Sequence, residues 1–132
     1  MEETIFTKII HGDIPCHKIY EDEHTFAFLD IHPVQPGMVL VVSKLQVASF
    51  TDLPEDEFRA LMGTVRKVAR RLQDVFPKKK RIGVQIEGLD VPHVHVKVFP
   101  IDSGAEFRAE PDMSVVPDRL ALEAMAEQLA FK

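Results

Sequence analysis

The sequence has little that would suit a membrane, a secreted or a metal-cluster protein. It has 132 residues, no tryptophan and one cysteine, Cys16. A lone cysteine excludes an internal disulfide and a zinc cluster built from several thiolates. Long apolar runs are also lacking, and polar residues interrupt the first twenty positions, so we expect no signal peptide and no membrane partner. Both features favour a cytoplasmic protein.

The charge argues against a nucleic-acid partner. Lysine and arginine total 16 against 21 acidic residues, which gives a net charge of −5. Proteins that bind the phosphate backbone of nucleic acids need a broad basic surface. The one basic run, residues 78–81, is better explained as a solvated loop between a helix and a strand.

Periodicity predicts an α+β fold. Apolar residues recur every three or four positions over residues 54–76, which predicts one long helix with Asp52 as N-cap and Pro54 in the first turn. Shorter helices are predicted over residues 4–11 and 118–130. Extended segments are predicted at residues 17–21, 25–31, 38–43, 81–87 and 91–99. Short connections favour an antiparallel sheet of about five strands with the long helix packed on it.

The chain length suits one domain with a single core. We therefore expect residues 1–132 to form one domain. Residues 101–132 are expected to form a C-terminal tail and helix, with residues 101–117 irregular.

The most informative motif is His93-Val94-His95-Val96-Lys97, in which polar residues alternate with valines. On a strand the two histidines and the lysine project from one face, roughly 6.5–7 Å apart. A neutral imidazole is a nucleophile near pH 7, and a nearby cation favours an anionic substrate. The spacing alone also fits a strand-borne metal site or two solvated histidines.

Several segments together resemble the histidine triad (HIT) family of nucleotide hydrolases and transferases. Residues 5–15 look like the opening helix and turn of that family, residues 20–31 like its first hairpin, and residues 36–44 like its central strand. Residues 93–99 take the place of the motif in which three histidines alternate with apolar residues. The resemblance covers about three quarters of the chain and implies a HIT-like fold.

The resemblance also implies roles for individual residues. His95 would be the nucleophile that attacks the α-phosphate, His93 would support it, and Lys97 would occupy the third catalytic position. Asp30 would bind the ribose hydroxyls. The purine pocket would be walled by apolar residues, for which ordinary core packing is the alternative: Ile5, Phe6, Ile9, Ile14, Phe28, Ile31 and Leu40. No cofactor and no metal ion are implied, and the expected partners are purine nucleotides such as AMP and a second copy of the chain, forming a homodimer.

The sequence departs from the family at several positions. Lys97 replaces the third histidine, and Met38 and Gln46 stand where further histidines are common. Residues 85–91 lack the elements that contact the phosphate and the leaving group in many members, and Gln85 is the candidate amide substitute. Two hypotheses follow: an active nucleotidyl hydrolase working through a nucleotidyl-histidine intermediate, or a nucleotide-binding protein with weak or no catalysis.

Overall fold

Five antiparallel strands form one sheet in the computed structural model, which describes residues 2–131. The spatial order is β1-β2-β3-β5-β4. The strands are β1 (Lys18–Glu21), β2 (Thr25–Leu29), β3 (Val39–Ser43), β4 (Arg81–Ile86) and β5 (His95–Ile101). The predicted α+β class and the five-stranded antiparallel sheet are confirmed.

Within residues 2–131, four α-helices accompany the sheet: α1 (Ile5–Ile10), α2 (Glu55–Val75), α3 (Gly104–Arg108) and α4 (Arg119–Leu129). Alternate residues of the central strands divide the core into two clusters, because successive strand residues point to opposite faces. The helix-side cluster joins one face of the sheet to α2 and α4, through Val39, Val41, Leu61, Val68 and Leu122 among others. The α1-side cluster covers the other face and contains Phe6, Ile9, Phe26, Phe28, Leu40 and Val42.

Helix α1 is short, and its ends are set by the sequence. The Thr4 side chain caps the first turn by accepting a hydrogen bond from the Thr7 N–H. Gly12 follows the helix with φ +83°, a conformation that glycine adopts without a steric penalty. Phe6 and Ile9 are buried against the sheet, so this single helix anchors the apolar wall of that face.

The long helix begins later than predicted. Asp52 belongs to a preceding 3₁₀ turn, and Pro54 holds the N-cap position, where no side-chain cap forms. The three acidic residues of the first turn remain available to complement the helix dipole. None of the helices within residues 2–131 is both long enough and apolar enough to cross a membrane.

Two predicted boundaries near the motif are wrong. The last strand was predicted over residues 91–99, but β5 begins only at His95 and continues to Ile101. The preceding residues bend instead, since the His93 N–H bonds to the Val91 carbonyl and the Val94 N–H bonds to the Val47 carbonyl. Residues 101–117, predicted to be irregular, contain the end of β5 and helix α3.

Candidate active site

The strand register places His95 and Lys97 on the α1 side of the sheet. His95 lies opposite Val42 and Lys97 lies opposite Leu40 in the antiparallel pair of β3 and β5. Directly opposed residues share a face, and Val42 and Leu40 both belong to the α1-side cluster. The alternating motif therefore presents these two polar groups to the helix that carries Phe6.

The His95 ring is held in one tautomer. Its Nδ1 lies 2.7 Å from the backbone carbonyl oxygen of His93. A carbonyl only accepts, so Nδ1 carries the hydrogen and the neutral ring keeps its lone pair on Nε2. The Phe6 ring meets this imidazole edge to face at 4.8 Å between centroids. A neutral imidazole with an unprotonated distal nitrogen is the form required of a nucleophile.

His93 is fully buried and lies before the start of β5. The prediction that it shares one strand face with His95 and Lys97 is therefore wrong. The His93 Nε2–H donates to the Ser43 carbonyl oxygen at 2.6 Å, and its Nδ1 lies 2.7 Å from Thr4 Oγ1. Burial lowers the pKa of His93, and proximity to His95 adds to this effect, while the bond to Ser43 opposes it. His93 is therefore a buried ring whose hydrogen bonds and lowered pKa favour the neutral form.

Lys97 is half-buried and forms no ion pair with any residue in the described range 2–131. Its neighbour across the ladder is Gln85 on β4. The Gln85 amide donates to the Phe107 carbonyl oxygen at 2.8 Å, and the Phe107 ring stacks on Phe99. The Gln85 amide, which is expected to contact a phosphate, therefore already makes one hydrogen bond to helix α3.

The apolar residues assigned to the purine pocket do not all meet. Five of them gather in or against the α1-side cluster, namely Phe6, Ile9, Ile14, Phe28 and Leu40. Ile5, the first residue of α1, is 47% exposed. Ile31 packs against the helix-side cluster on the other face of the sheet. The structure therefore separates Ile31 from the other candidates.

Asp30 follows directly after β2 and is half-buried. Its backbone N–H still donates to the Met38 carbonyl, and one carboxylate oxygen accepts a hydrogen bond from the His32 N–H at 2.8 Å. It borders a mostly apolar pocket of about 390 Å³, formed with the chain around Met38 and with residues 112–125. The two histidines and Lys97 do not line that pocket, so the pocket does not join Asp30 to His95.

Sequence reasoning missed the residues that surround His93. Thr4, the N-cap of α1, and Thr7 within the helix approach its Nδ1, and Ser43 of β3 accepts from its Nε2. The helix predicted over residues 4–11 already placed Thr4 at a helix start, where threonine is a favoured N-cap. The contact with His93 joins residues 89 positions apart, and only the tertiary fold supplies it.

A metal centre at the motif finds no support in the described part of the chain. The group of side chains close enough to share an ion is Glu3, His11 and Asp13, all of them exposed. Neither His93 nor His95 belongs to it. Exposed carboxylates commonly approach one another without an ion, so the group does not define a site.

Comparisons with known proteins agree with the fold and the motif. The family model for the HIT domain matches residues 11–104, which include Asp30, His93, His95 and Lys97. The chain belongs to the HIT domain family. It is 39% identical over 100 residues to an uncharacterised HIT-like protein of Methanocaldococcus jannaschii, with 73% of this chain and 77% of that protein covered.

Another relative has a named activity. Adenosine 5'-monophosphoramidase of Schizosaccharomyces pombe is 35% identical over 100 residues, covering 73% of this chain and 72% of that enzyme. Among solved structures, a HIT-like protein of Bartonella henselae superposes with TM-score 0.83 at 26% identity, covering 96% and 93% of the two chains. A HIT family protein of Bacillus subtilis gives TM-score 0.75 at 30% identity, covering 99% and 100%. At the level of the family, these relatives support nucleotide hydrolase activity.

Proposed function

We propose that the protein is a purine nucleotide-binding nucleotidyl hydrolase or transferase that cleaves at the α-phosphate. Its substrate class is a nucleoside phosphoramidate, an adenylate or a dinucleoside polyphosphate, and His95 is the nucleophile. The observation that carries the proposal is the bond from His95 Nδ1–H to the His93 carbonyl, which places the lone pair of the neutral ring on Nε2. Relatives named as adenosine 5'-monophosphoramidases support the substrate class.

For a phosphoramidate the proposed reaction has two steps. The Nε2 electron pair forms a bond to phosphorus, the phosphorus–nitrogen bond to the leaving amine breaks, and its electron pair leaves with that nitrogen, which takes up a proton. Water then adds to phosphorus and loses a proton, and the electron pair of the breaking histidine–phosphorus bond returns to Nε2. The sum is phosphoramidate plus water giving nucleoside monophosphate and ammonia, with His95 regenerated.

Lys97 contributes charge in this proposal. Nucleotidyl transfer depends mainly on positioning and on stabilising spread negative charge. An ammonium two residues from His95 on the same strand face attracts the α-phosphate as a point charge. Gln85, opposite Lys97, supplies a polar contact with the capacity that its bond to Phe107 leaves free.

The nucleoside would lie along the α1-side cluster. Asp30 would accept hydrogen bonds from the ribose hydroxyls with the carboxylate oxygen that does not bond to His32. Phe6, Phe28 and Leu40 would provide apolar contacts for the base. The exposed position of Ile5 suits a residue at the rim of this surface.

A second candidate function is nucleotide binding with weak or no turnover. Two observations favour it: the third triad position is Lys97, and Met38 is buried where the family commonly has a histidine. A lysine ammonium transfers a proton near neutral pH less readily than an imidazole does. On this account the protein would retain AMP while releasing little product.

Incubation with adenosine phosphoramidate separates the two functions. Release of AMP at a rate proportional to protein concentration, abolished in His95→Ala, supports the hydrolase. AMP binding measured by calorimetry without product release, even at high protein concentration, supports the binding protein. Absence of both binding and product release would overturn both candidates.

We also propose a homodimer that acts in the cytoplasm. β4 is an edge strand of the sheet, and Val84 on it is 39% exposed. An unpaired edge with an exposed apolar side chain is a ready surface for pairing with a second copy. The single cysteine is consistent with a reducing compartment.

A further inference from the structure

A cluster of polar side chains surrounds the buried ring of His93. Thr4 Oγ1 lies 2.7 Å from His93 Nδ1, and Thr7 Oγ1 lies 3.5 Å from the same atom. Gln46, from the loop after β3, accepts from the Thr7 hydroxyl at 2.6 Å and from the Thr4 N–H at 3.0 Å. These contacts join the start of α1 to the residues that precede β5.

The hydrogens of this cluster can be assigned from its acceptors. The Ser43 carbonyl fixes the proton of His93 on Nε2, so Nδ1 must accept. The Gln46 carbonyl oxygen takes the Thr7 hydroxyl hydrogen. The Thr4 hydroxyl could donate to Thr7 Oγ1 at 3.4 Å, but His93 Nδ1 must accept and is nearer, at 2.7 Å, so the Thr4 hydrogen is directed to His93.

Gln46 is itself held in place. Its amide nitrogen donates to the Glu2 carbonyl oxygen at 2.8 Å, which fixes the opposite end of the amide as the acceptor. An amide can both donate to Glu2 and accept from the two threonine residues, whereas a carboxylate could not make the first of these bonds. Gln46 thereby sets the direction of its bonds with Glu2, Thr4 and Thr7, while the Ser43 carbonyl sets that of the bond from Thr4 to His93.

The hydrogen bonds to the His93 ring affect His95 through the backbone of His93. His93 is clamped at both ring nitrogens, and its backbone carbonyl is the acceptor that orients His95. We infer that Thr4, supported by Thr7 and Gln46, is a positioning residue that holds the His93 ring and backbone so that His95 presents its unprotonated Nε2 to the α-phosphate. The expected effect on the kinetics rests on the proposed hydrolase function. The hydrogen bonds that hold His93 do not depend on that function.

The test compares three variants of Thr4. Thr4→Ser keeps both the helix cap and the hydroxyl donor. Thr4→Asp keeps a capping acceptor but cannot donate to His93 Nδ1 when ionised. Thr4→Val removes both functions with little change in shape. Comparing aspartate with serine therefore separates the bond to His93 from the stability of α1.

The first readout is the ¹⁵N NMR spectrum of the histidine rings, which needs no substrate. In the parent and in Thr4→Ser, we expect the His93 signals of a neutral ring protonated at Nε2. In Thr4→Asp, we expect His93 to gain a proton on Nδ1 at a higher pH than in the parent. His93 signals identical in Thr4→Asp and the parent would overturn the hydrogen-bond assignment.

The second readout is the kinetics of adenosine phosphoramidate hydrolysis. We expect kcat to fall at least tenfold in Thr4→Asp and Thr4→Val, with KM within about threefold of the parent, and Thr4→Ser to recover most of the rate. Full kcat in the properly folded Thr4→Asp variant would overturn the positioning role. A parent without hydrolytic activity would contradict the proposed function instead, and the NMR comparison would still decide the clamp on His93.

Discussion

The Nδ1–H of His95 donates to the backbone carbonyl oxygen of His93 over 2.7 Å. This acceptor belongs to the main chain, so the orientation of the proposed nucleophile does not depend on the identity of the third triad residue. With lysine rather than histidine at position 97, His95 Nε2 therefore keeps its orientation, and only the charge and proton chemistry beside it differ.

The first prediction concerns ribose binding by Asp30. Asp30→Ala should weaken AMP binding by about 1–3 kcal/mol, the range expected when hydrogen bonds to a charged group are lost. Asp30→Asn keeps one oxygen acceptor and should lose less affinity. Calorimetric titration with AMP makes the comparison, and an Asp30→Ala protein that binds AMP as well as the parent does would refute the ribose assignment.

The second prediction concerns the departure from the family motif. Lys97→His should raise turnover modestly if transfer of a proton at the third position limits the rate. If Lys97 acts mainly as a phosphate-binding cation, the same change should leave turnover flat or lower it. We expect the modest increase. Lys97→Met, which removes the charge but keeps an unbranched chain, is the matched control and should weaken AMP binding.

The third prediction concerns the pH dependence of stability. The pKa of folded His93 lies below its ordinary value, principally because of burial. The unfolded chain, with a histidine pKa of about 6.5, then binds more protons than the folded protein as the pH falls, and the free energy of unfolding decreases below about pH 6.5. Denaturant unfolding at several pH values should show a shallower loss in His93→Gln than in the parent.

His24 provides a control, because its pKa is shifted in the direction opposite to that of His93. A hydrogen bond with Glu57 raises the pKa of His24, so its contribution to stability is present at low pH and is lost as the pH rises. Removing it in His24→Gln should make the loss of stability on acidification steeper than in the parent. A His93→Gln profile parallel to that of the parent would contradict the assignment of the acid sensitivity to His93.

The fourth prediction concerns assembly. Sedimentation at micromolar concentration should show a dimer, and Val84→Asp should shift it to a monomer, because a charge on the edge strand opposes pairing. Leu120→Asp is the matched control, since Leu120 is 79% exposed on α4 and distant in sequence from β4. A parent that sediments only as a monomer would contradict the dimer.

Much of the fold could be read from the sequence because its patterns are local. Strict alternation located β5 and its polar face, and the three-to-four spacing of apolar residues located α2. The start of β5 was misplaced because alternation alone cannot reveal that the His93 N–H turns back to the Val91 carbonyl. Asp52 was a plausible cap by residue type, but Ser49 and the 3₁₀ turn place it before the helix.

The site was less predictable because it depends on contacts distant in sequence. Apolar residue types could not distinguish Phe28, which faces α1, from Ile31, which packs on the other face after β2 has ended. Likewise, nothing local indicated that the Gln85 amide is bonded to Phe107 or that Thr4 reaches His93. These assignments required the tertiary arrangement of α1, α3 and the sheet.

The most direct test of the central claim is detection of the nucleotidyl-histidine intermediate. The protein is mixed with radiolabelled adenosine phosphoramidate, quenched within one turnover, digested at alkaline pH to preserve the phosphorus–nitrogen bond, and analysed by mass spectrometry. We predict an AMP adduct on the peptide containing His95, absent in His95→Ala while that variant binds AMP within a few-fold of the parent. Full hydrolytic activity in His95→Ala would contradict the mechanism.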